Sequence, residues 1–93
     1  MRERDVERKL VSAVLARDGF APKLSCPGMD GMPDRLILLP GGRAAFAELK
    51  APGKRPRPLQ MRRKRQLETL GFRVYVIDNP DMIGGVLDEI CSS

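Results

Sequence analysis

The segment RLILLPGGRAAFAELK, residues 35–50, constrains the fold more than any other part of the chain. Two runs of apolar residues flank PGG, a turn sequence that typically joins the strands of a β-hairpin. A three-residue loop there makes Leu39 face Arg43, and the same register makes Asp34 face Glu48. Facing side chains of an antiparallel pair lie on the same face of the sheet, about 5 Å apart. The sequence therefore predicts a hairpin that brings two carboxylates together.

The other elements follow from periodicity and turn residues. Apolar residues recur at helical spacing from about Arg4 to Arg17, and Gly19 supplies a stop. FAPKLSC predicts a short first strand, LQMRRKRQLETL a second helix ended by Gly71, and FRVYVID a further strand. A last helix after NPD places five apolar residues on one side, namely Met82, Ile83, Val86, Leu87 and Ile90. The order αβββαβα predicts an α/β fold in which helices flank a mixed sheet.

Length and composition limit the classes of protein. Ninety-three residues are enough for one small domain, residues 1–93. No apolar run approaches the roughly 18–20 residues of a membrane span, and the charged N-terminus does not resemble a signal peptide, so we expect an intracellular protein without membrane contact. Cys26 and Cys91 have no metal-binding spacing and are expected to be reduced thiols. The absence of histidine excludes histidine catalysis, histidine–metal sites and zinc fingers.

Asp34, Glu48 and Lys50 form a candidate catalytic site because the segments around them are apolar. Strand side chains alternate, so Lys50 shares the face of Glu48. Two carboxylates this close repel each other, and a divalent cation relieves that repulsion. Ligation by oxygen alone favours Mg²⁺ or Mn²⁺, which can promote phosphodiester hydrolysis while Lys50 orients water or stabilises charge. The structural alternative is an aspartate that caps a turn and a Glu–Lys pair at a strand end.

A basic segment follows the hairpin. Its cations are Lys54, Arg55, Arg57, Arg62, Arg63, Lys64, Arg65 and Arg73, opposed only by Glu68. One interpretation is a solvated helix face; the other is a surface that binds polyphosphate. Aromatic residues make up 4% of the chain, and none lies between Lys54 and Arg65. The pattern therefore favours contacts to the backbone of duplex DNA over stacking on bases, with Lys54, Arg55, Arg57, Arg62, Arg63 and Arg65 as the binding residues.

Polar residues on the two predicted helices add to the candidate site. The apolar stripe of the first helix is centred between Glu3 and Glu7, where a carboxylate is unexpected unless something inside binds it. Stabilisation of the helix dipole is an alternative explanation, more suitable for Glu3 than for Glu7, and the deeper position of Glu7 favours it as the extra ligand. In the second helix, Gln60 projects with Leu67 and Leu70, where it either contacts the site or is a satisfied buried amide.

The motifs GMPDR, AELK and RPLQ together resemble the VRR-NUC group of the PD-(D/E)XK nucleases. The superfamily signature matches Pro33-Asp34 and Glu48-Leu49-Lys50, and the resemblance runs from ERDVE to YVID. It implies a restriction endonuclease-like αβββαβ core, here followed by a C-terminal helix. It also implies a metal-dependent DNA endonuclease related to Holliday junction resolvases, of a kind found largely in phages and prophages.

The resemblance also implies roles for individual residues. Metal would be bound by Asp34, Glu48 and the backbone carbonyl of Leu49, Lys50 would be catalytic, and Gln60 would assist. The helix-one ligand would be Glu7 or Glu3, because ExxVE fits the family pattern either way.

The loop before Pro33-Asp34 departs from the family pattern. It carries Cys26, Met29 and Asp30 where family members often have serine and basic residues. This departure concerns the substrate contacts of the loop and not the metal site.

Three functions are compatible with these features. The leading hypothesis is a structure-selective endonuclease that needs Mg²⁺ or Mn²⁺, binds branched DNA through its backbone and uses no nucleotide cofactor. The alternatives are a non-catalytic nucleic-acid-binding module and a nuclease that nicks duplex DNA without junction preference. We further expect a homodimer, because symmetric cleavage needs two sites related by a dyad. The last helix is the candidate dimer surface, unless it completes the core of the monomer.

Overall fold

The sheet of this protein has three strands, and its structure, a computed structural model, describes residues 1–92. β1 (Arg35–Leu39) and β2 (Arg43–Leu49) form the antiparallel hairpin. β3 (Val74–Ile77) lies beside β2 and runs parallel to it, so the sheet is mixed and has the order β1-β2-β3. Leu39 pairs with Arg43, which confirms the register predicted for the hairpin.

Three helices surround the sheet. α1 (Glu3–Leu15) precedes it, α2 (Pro58–Thr69) connects β2 to β3, and α3 (Ile83–Cys91) follows a short 3-10 turn at Pro80–Met82. The predicted class, α/β with a mixed sheet flanked by helices and a C-terminal helix, is confirmed. None of the helices within residues 1–92 has the length and apolar character needed to cross a membrane.

The segment FAPKLSC, predicted as a first strand, does not form a regular strand. Phe20 exchanges two backbone hydrogen bonds with Leu38, and Lys23 bridges to Arg35, so the segment runs antiparallel along β1. Pro22 accepts a hydrogen bond from the N–H of Leu36 at 3.1 Å but has no N–H to donate in return. The pairing is therefore interrupted, and the observed element order contains two bridges where a fourth strand was expected.

The hydrophobic core lies on one face of the sheet. α1 contributes Val6, Leu10 and Val14, which are four residues apart and fully buried. The sheet contributes residues at alternate strand positions, namely Ile37, Leu39, Ala45, Ala47, Leu49 and Ile77. Asp34 and Glu48 belong to the other set of positions, so the hairpin presents them away from the main core.

α3 completes this core. Its residues Ile83, Val86, Leu87 and Ile90 are all buried, and only Met82 from the predicted apolar side is exposed. Of the two alternatives for this helix, the structure therefore supports completion of the monomer core, because its apolar side chains are already buried within one chain.

The opposite face of the sheet is covered mainly by α2, which buries little apolar surface. Gln60 is its buried residue, and it lines a cavity of about 10 Å³ together with Glu48, Val74 and Val76. The inward direction predicted for Gln60 is confirmed. Leu70 was predicted to share that direction but is 73% exposed. Phe72 meets Phe46 edge to face, with ring centroids 5.8 Å apart, and stays more than half exposed.

Candidate functional site

The two hairpin carboxylates meet where β1 and β2 end. Glu48 lies one residue beyond the last β1–β2 pair, Arg35 with Ala47, so the confirmed register sets it against Asp34. Oδ2 of Asp34 accepts the backbone N–H of Leu49 at 2.8 Å, and the Asp34 carbonyl accepts the N–H of Leu24 at 2.9 Å. Asp34 is thus tied to both neighbouring segments, which fixes its carboxylate at this edge of the hairpin.

Glu48 is buried without the partners that a buried carboxylate normally has. The residue is 3% exposed, and neither Oε1 nor Oε2 accepts a hydrogen bond from any residue within 1–92. Nζ of Lys50 lies 3.4 Å from Oε2, close enough for an ion pair but long for a hydrogen bond. Burial, with a further contribution from the charge of Asp34, raises the pKa of Glu48 to about 7, although Lys50 acts in the opposite direction.

A hard cation fits the atoms that this arrangement leaves without partners. Buried polar atoms almost always form hydrogen bonds in folded proteins, and the two oxygens of Glu48 form none, so a cation beyond Lys50 would satisfy them. Asp34 and the backbone carbonyl of Leu49 would add oxygen donors of the kind that Mg²⁺ and Mn²⁺ prefer. Within residues 1–92, no three acidic, cysteine or histidine side chains already stand close enough together to hold a metal ion. The described arrangement therefore supplies two carboxylates, and a third acidic ligand would have to move toward them.

Glu7, the glutamate predicted from the apolar stripe of α1, has a partner that the sequence analysis missed. Nε of Arg35 donates to Oε2 of Glu7 at 2.7 Å, and the same guanidinium donates to the carbonyl of Ala21. Arg35 follows Asp34 directly and therefore points to the core face of the sheet, under α1. The carboxylate in the stripe is explained by this ion pair.

Glu3 has no such partner. Its side chain makes no hydrogen bond or ion pair with the part of the chain that the structure describes, and the residue is exposed. Glu3, Glu7 and Asp34 line one open cavity of about 300 Å³, together with Met32. Both helix-one candidates therefore line the same cavity as Asp34, but only Glu3 is unengaged.

Gln60 is held at the start of α2. Its Oε1 accepts the backbone N–H of Arg57 at 2.8 Å, which satisfies one of the free donors at this helix end. The side-chain amide nitrogen remains available on the side of the cavity shared with Glu48. The amide is therefore both a helix cap and a neighbour of the candidate site, so the two interpretations of its sequence position are compatible.

The predicted DNA-binding cations differ in their solvent exposure and in their hydrogen bonds. Lys54, Arg55 and Arg57 are exposed in and next to the loop before α2, and Arg62 and Arg65 are exposed on the helix. Arg63 is half-buried, and its Nε donates to the carbonyl of Asp30 at 2.8 Å. We conclude that Arg63 also anchors the loop before Asp34, a role that its place in a run of cations did not reveal.

Known proteins resemble this chain along most of its length. The protein described as "Putative nuclease p44", from Acyrthosiphon pisum secondary endosymbiont phage 1, is 45% identical over 82 residues, which are 88% of each chain. A solved structure described as "VRR_NUC domain" has a TM-score of 0.86 at 29% identity and covers 92% of this chain and 94% of its own. No family model matches the chain. The likeness thus extends far beyond the hairpin motif.

Proposed function

Because this chain belongs to the VRR-NUC family of nucleases, we propose that it is a DNA endonuclease whose activity requires Mg²⁺ or Mn²⁺. The observation that carries the proposal is the pair of buried Glu48 oxygens beside Asp34, which accept no hydrogen bond within residues 1–92 and have only the ion pair of Oε2 with Lys50. Isolation of a charged carboxylate from water is unfavourable unless a cation compensates it. A metal bound there would lower the pKa of a coordinated water and polarise the phosphodiester.

The side chains around the metal ligands have separate roles in this proposal. The ammonium of Lys50 stabilises the negative charge that develops on the phosphate, because it lies beside Glu48 on a nearly buried stem. Gln60 donates from its free amide nitrogen to water or phosphate, with its oxygen fixed by the backbone of Arg57. The carbonyl of Leu49 adds a neutral oxygen ligand.

We assign the helix-one ligand to Glu3 in preference to Glu7. The ion pair with Arg35 already neutralises Glu7 and holds one of its oxygens at 2.7 Å. Glu3 lines the same cavity as Asp34 and is free to turn into it. This reverses the preference that helical position alone suggested.

DNA binding depends on the exposed cations on and next to α2. Arg57, Arg62 and Arg65 are exposed on and next to α2, which covers the same face of the sheet as Glu48. Contacts from such side chains to phosphates are strong at low salt and carry no sequence information. We therefore propose backbone recognition with little preference for sequence.

We also propose that the protein acts on branched DNA as a homodimer. The proposed dimer surface is not α3 but the region around Phe20 and Phe72. One chain offers one set of site residues, and paired cuts across a junction need two sets related by a dyad. α3 is buried, whereas Phe20 is 65% and Phe72 54% exposed beside the sheet face that lacks core packing. Two phenylalanines of this exposure offer apolar area that a second copy would cover.

Cleavage assays test the catalytic proposal. Labelled linear, nicked, flapped and four-way DNA are incubated with the protein in Mg²⁺, Mn²⁺ or chelator. We expect cleavage with either metal, none in chelator, and loss of cleavage in Asp34→Asn, Glu48→Gln and Lys50→Ala with the fold intact. Full activity in excess chelator would exclude the metal mechanism, and equal rates on all four DNAs would identify a nicking enzyme without junction preference.

Sedimentation equilibrium tests the dimer. We expect a species of twice 10.4 kDa that dissociates when Phe72 is changed to Lys, and a paired Met82→Lys variant that stays dimeric. Paired cutting of a junction by a 10.4 kDa species in one binding event would contradict the proposal.

A further inference from the structure

A large groove separates α2 from the loop that precedes Asp34. Its volume is about 810 Å³, and its apolar lining comes from Met29 and Met32 of the loop and from Leu67 and Leu70 of α2. Leu70 is 73% and Met29 47% exposed, so these side chains are not needed for the core. Exposed apolar residues grouped in one concavity indicate a binding surface more than isolated ones do.

Specific contacts hold the loop at its distance from α2. Gly31 has φ +82°, and a Cβ at this position would lie 2.6 Å from Cγ of Leu59 on α2, so only glycine allows this approach. Nε of Arg63 donates to the neighbouring carbonyl of Asp30 at 2.8 Å, and its other guanidinium nitrogen donates to Gln66 at 2.9 Å. The groove is therefore a defined feature of the fold and not a gap beside a loose loop.

The charged side chains that line the groove are all positive. Arg62, Arg63 and Arg65 contribute to its lining, and none of the described residues that line it is an aspartate or a glutamate. A second copy that docked here about a dyad would bring arginines against arginines, which is unfavourable. A polyanion with apolar faces satisfies both the cations and the apolar lining.

The groove is adjacent to the open cavity that contains Asp34. Met32 lines both the groove and the open cavity that contains Glu3, Glu7 and Asp34. A chain of nucleotides that leaves Asp34 in this direction passes Met32 and reaches the apolar lining. Duplex DNA keeps its bases stacked inside, so only unpaired nucleotides can present base faces to this surface.

We propose that the groove binds the unpaired bases of a single-stranded DNA segment next to the cleavage site. The bases lie against Met29, Met32 and Leu70, and Arg62 and Arg65 contact their phosphates. The inference rests on the proposed nuclease function and deepens it, because it names DNA with unpaired nucleotides at a branch or flap as the substrate class.

Abasic DNA provides the test, because it keeps the phosphates and removes the bases. Fluorescence anisotropy in chelator compares a duplex that carries a short single-stranded flap with the same duplex whose flap is abasic. We expect the wild-type protein to bind the base-bearing flap about tenfold more tightly, because contact with the methionine and leucine side chains removes apolar surface of the bases from water. The double variant Met29→Ser/Leu70→Ser should bring that ratio close to one.

A matched pair of exposed residues supplies the control. Leu15→Ser/Met82→Ser removes a leucine and a methionine of comparable exposure outside the groove and should keep the wild-type ratio. Arg62→Gln/Arg65→Gln should weaken both flaps by a similar factor, because both carry the same phosphates. Circular dichroism of each variant confirms that it is folded.

Several outcomes would overturn the inference, and one other would refute only the proposed catalysis. A ratio of one in the wild-type protein, or an unchanged ratio in Met29→Ser/Leu70→Ser, shows that the groove does not bind bases. If that variant turns a dimer into a monomer while the ratio stays the same, the groove is a protein interface. A protein with the expected ratio that cleaves no DNA in Mg²⁺ or Mn²⁺ retains the groove assignment and refutes the proposed catalysis.

Discussion

Leu49 donates its backbone N–H to Oδ2 of Asp34 across 2.8 Å, so one carboxylate of the candidate site also joins the ends of the two hairpin strands. A metal ligand and a structural acceptor are thus the same side chain. Removal of the charge and removal of the acceptor should have separable consequences.

Asp34→Asn and Asp34→Ala separate these two roles. Asparagine keeps an oxygen that can accept from Leu49, whereas alanine leaves a buried N–H unsatisfied, at a cost of about 1–3 kcal/mol. We expect both variants to lose cleavage and metal affinity, and only Asp34→Ala to lose stability, as measured by urea denaturation. An Asp34→Asn variant with wild-type cleavage in Mg²⁺ would show that the charge of Asp34 is not required.

The stability of the metal-free protein should fall as pH rises from about 4.5 to 7. The pKa of Glu48 is raised to about 7 in the fold, so between these values the native state binds more protons than the unfolded chain. The loss should be roughly 3 kcal/mol over this window and then level off. Since the chain has no histidine, few other groups titrate there.

Urea denaturation in chelator across this pH range gives the measurement. Glu48→Gln should flatten the curve, and saturating Mg²⁺ or Mn²⁺ should remove the loss by stabilising the ionised carboxylate. Stability that rises with pH in the wild-type protein would mean that Glu48 is already ionised at pH 5.

Glu7→Gln and Glu3→Gln should affect different properties of the protein. Loss of the Glu7 charge leaves the half-buried guanidinium of Arg35 without its counterion and should cost about 1–2 kcal/mol of folding stability. Glu3→Gln should leave stability unchanged and weaken metal binding and cleavage. Calorimetric metal titration and urea denaturation of both variants make the comparison. A Glu7→Gln variant of normal stability that fails to bind metal would return the ligand role to Glu7.

Charge reversal on α2 should weaken binding to every DNA by a similar factor. If roughly six cations contact phosphates, wild-type affinity should fall on the order of a thousandfold between 50 and 200 mM salt. Arg62→Glu/Arg65→Glu should reduce the slope of log affinity against log salt by about two. Lys9→Glu/Arg43→Glu makes the same change in net charge at exposed positions away from α2 and should have a much smaller effect. A loss confined to one DNA sequence would indicate readout of bases.

The hairpin was predictable because its register depends on local chemistry. The PGG turn and the alternation of apolar residues are enough to place Leu39 opposite Arg43 and Asp34 near Glu48. Gln60 was predictable for a similar reason, since helical periodicity gives its direction. The interruption at Pro22 also had a signal, because proline cannot donate to a ladder.

The partner of Glu7 and the groove required tertiary information. Arg35 and Glu7 are 28 residues apart, and each is a charged residue at a core-facing position. Each charge explains why the other is tolerated at a core-facing position. The periodicity of the sequence, however, does not indicate that these two residues contact each other. The loop that carries Met29 and Met32 takes its path from the close approach of Gly31 to Leu59, a contact that no local pattern predicts.

The proline in the segment beside β1 also affects how copies of the protein can meet. One edge of the sheet is interrupted at Pro22, where the carbonyl of Ala21 is already engaged by Arg35, and the other edge is the four-residue strand β3. Short or broken edges are poor templates for the addition of another strand, so the protein should resist amyloid-like association even at high concentration. Two copies would then join through side chains and not through a continuous backbone ladder, and the spacing between their cutting centres could change in evolution without refolding the sheet.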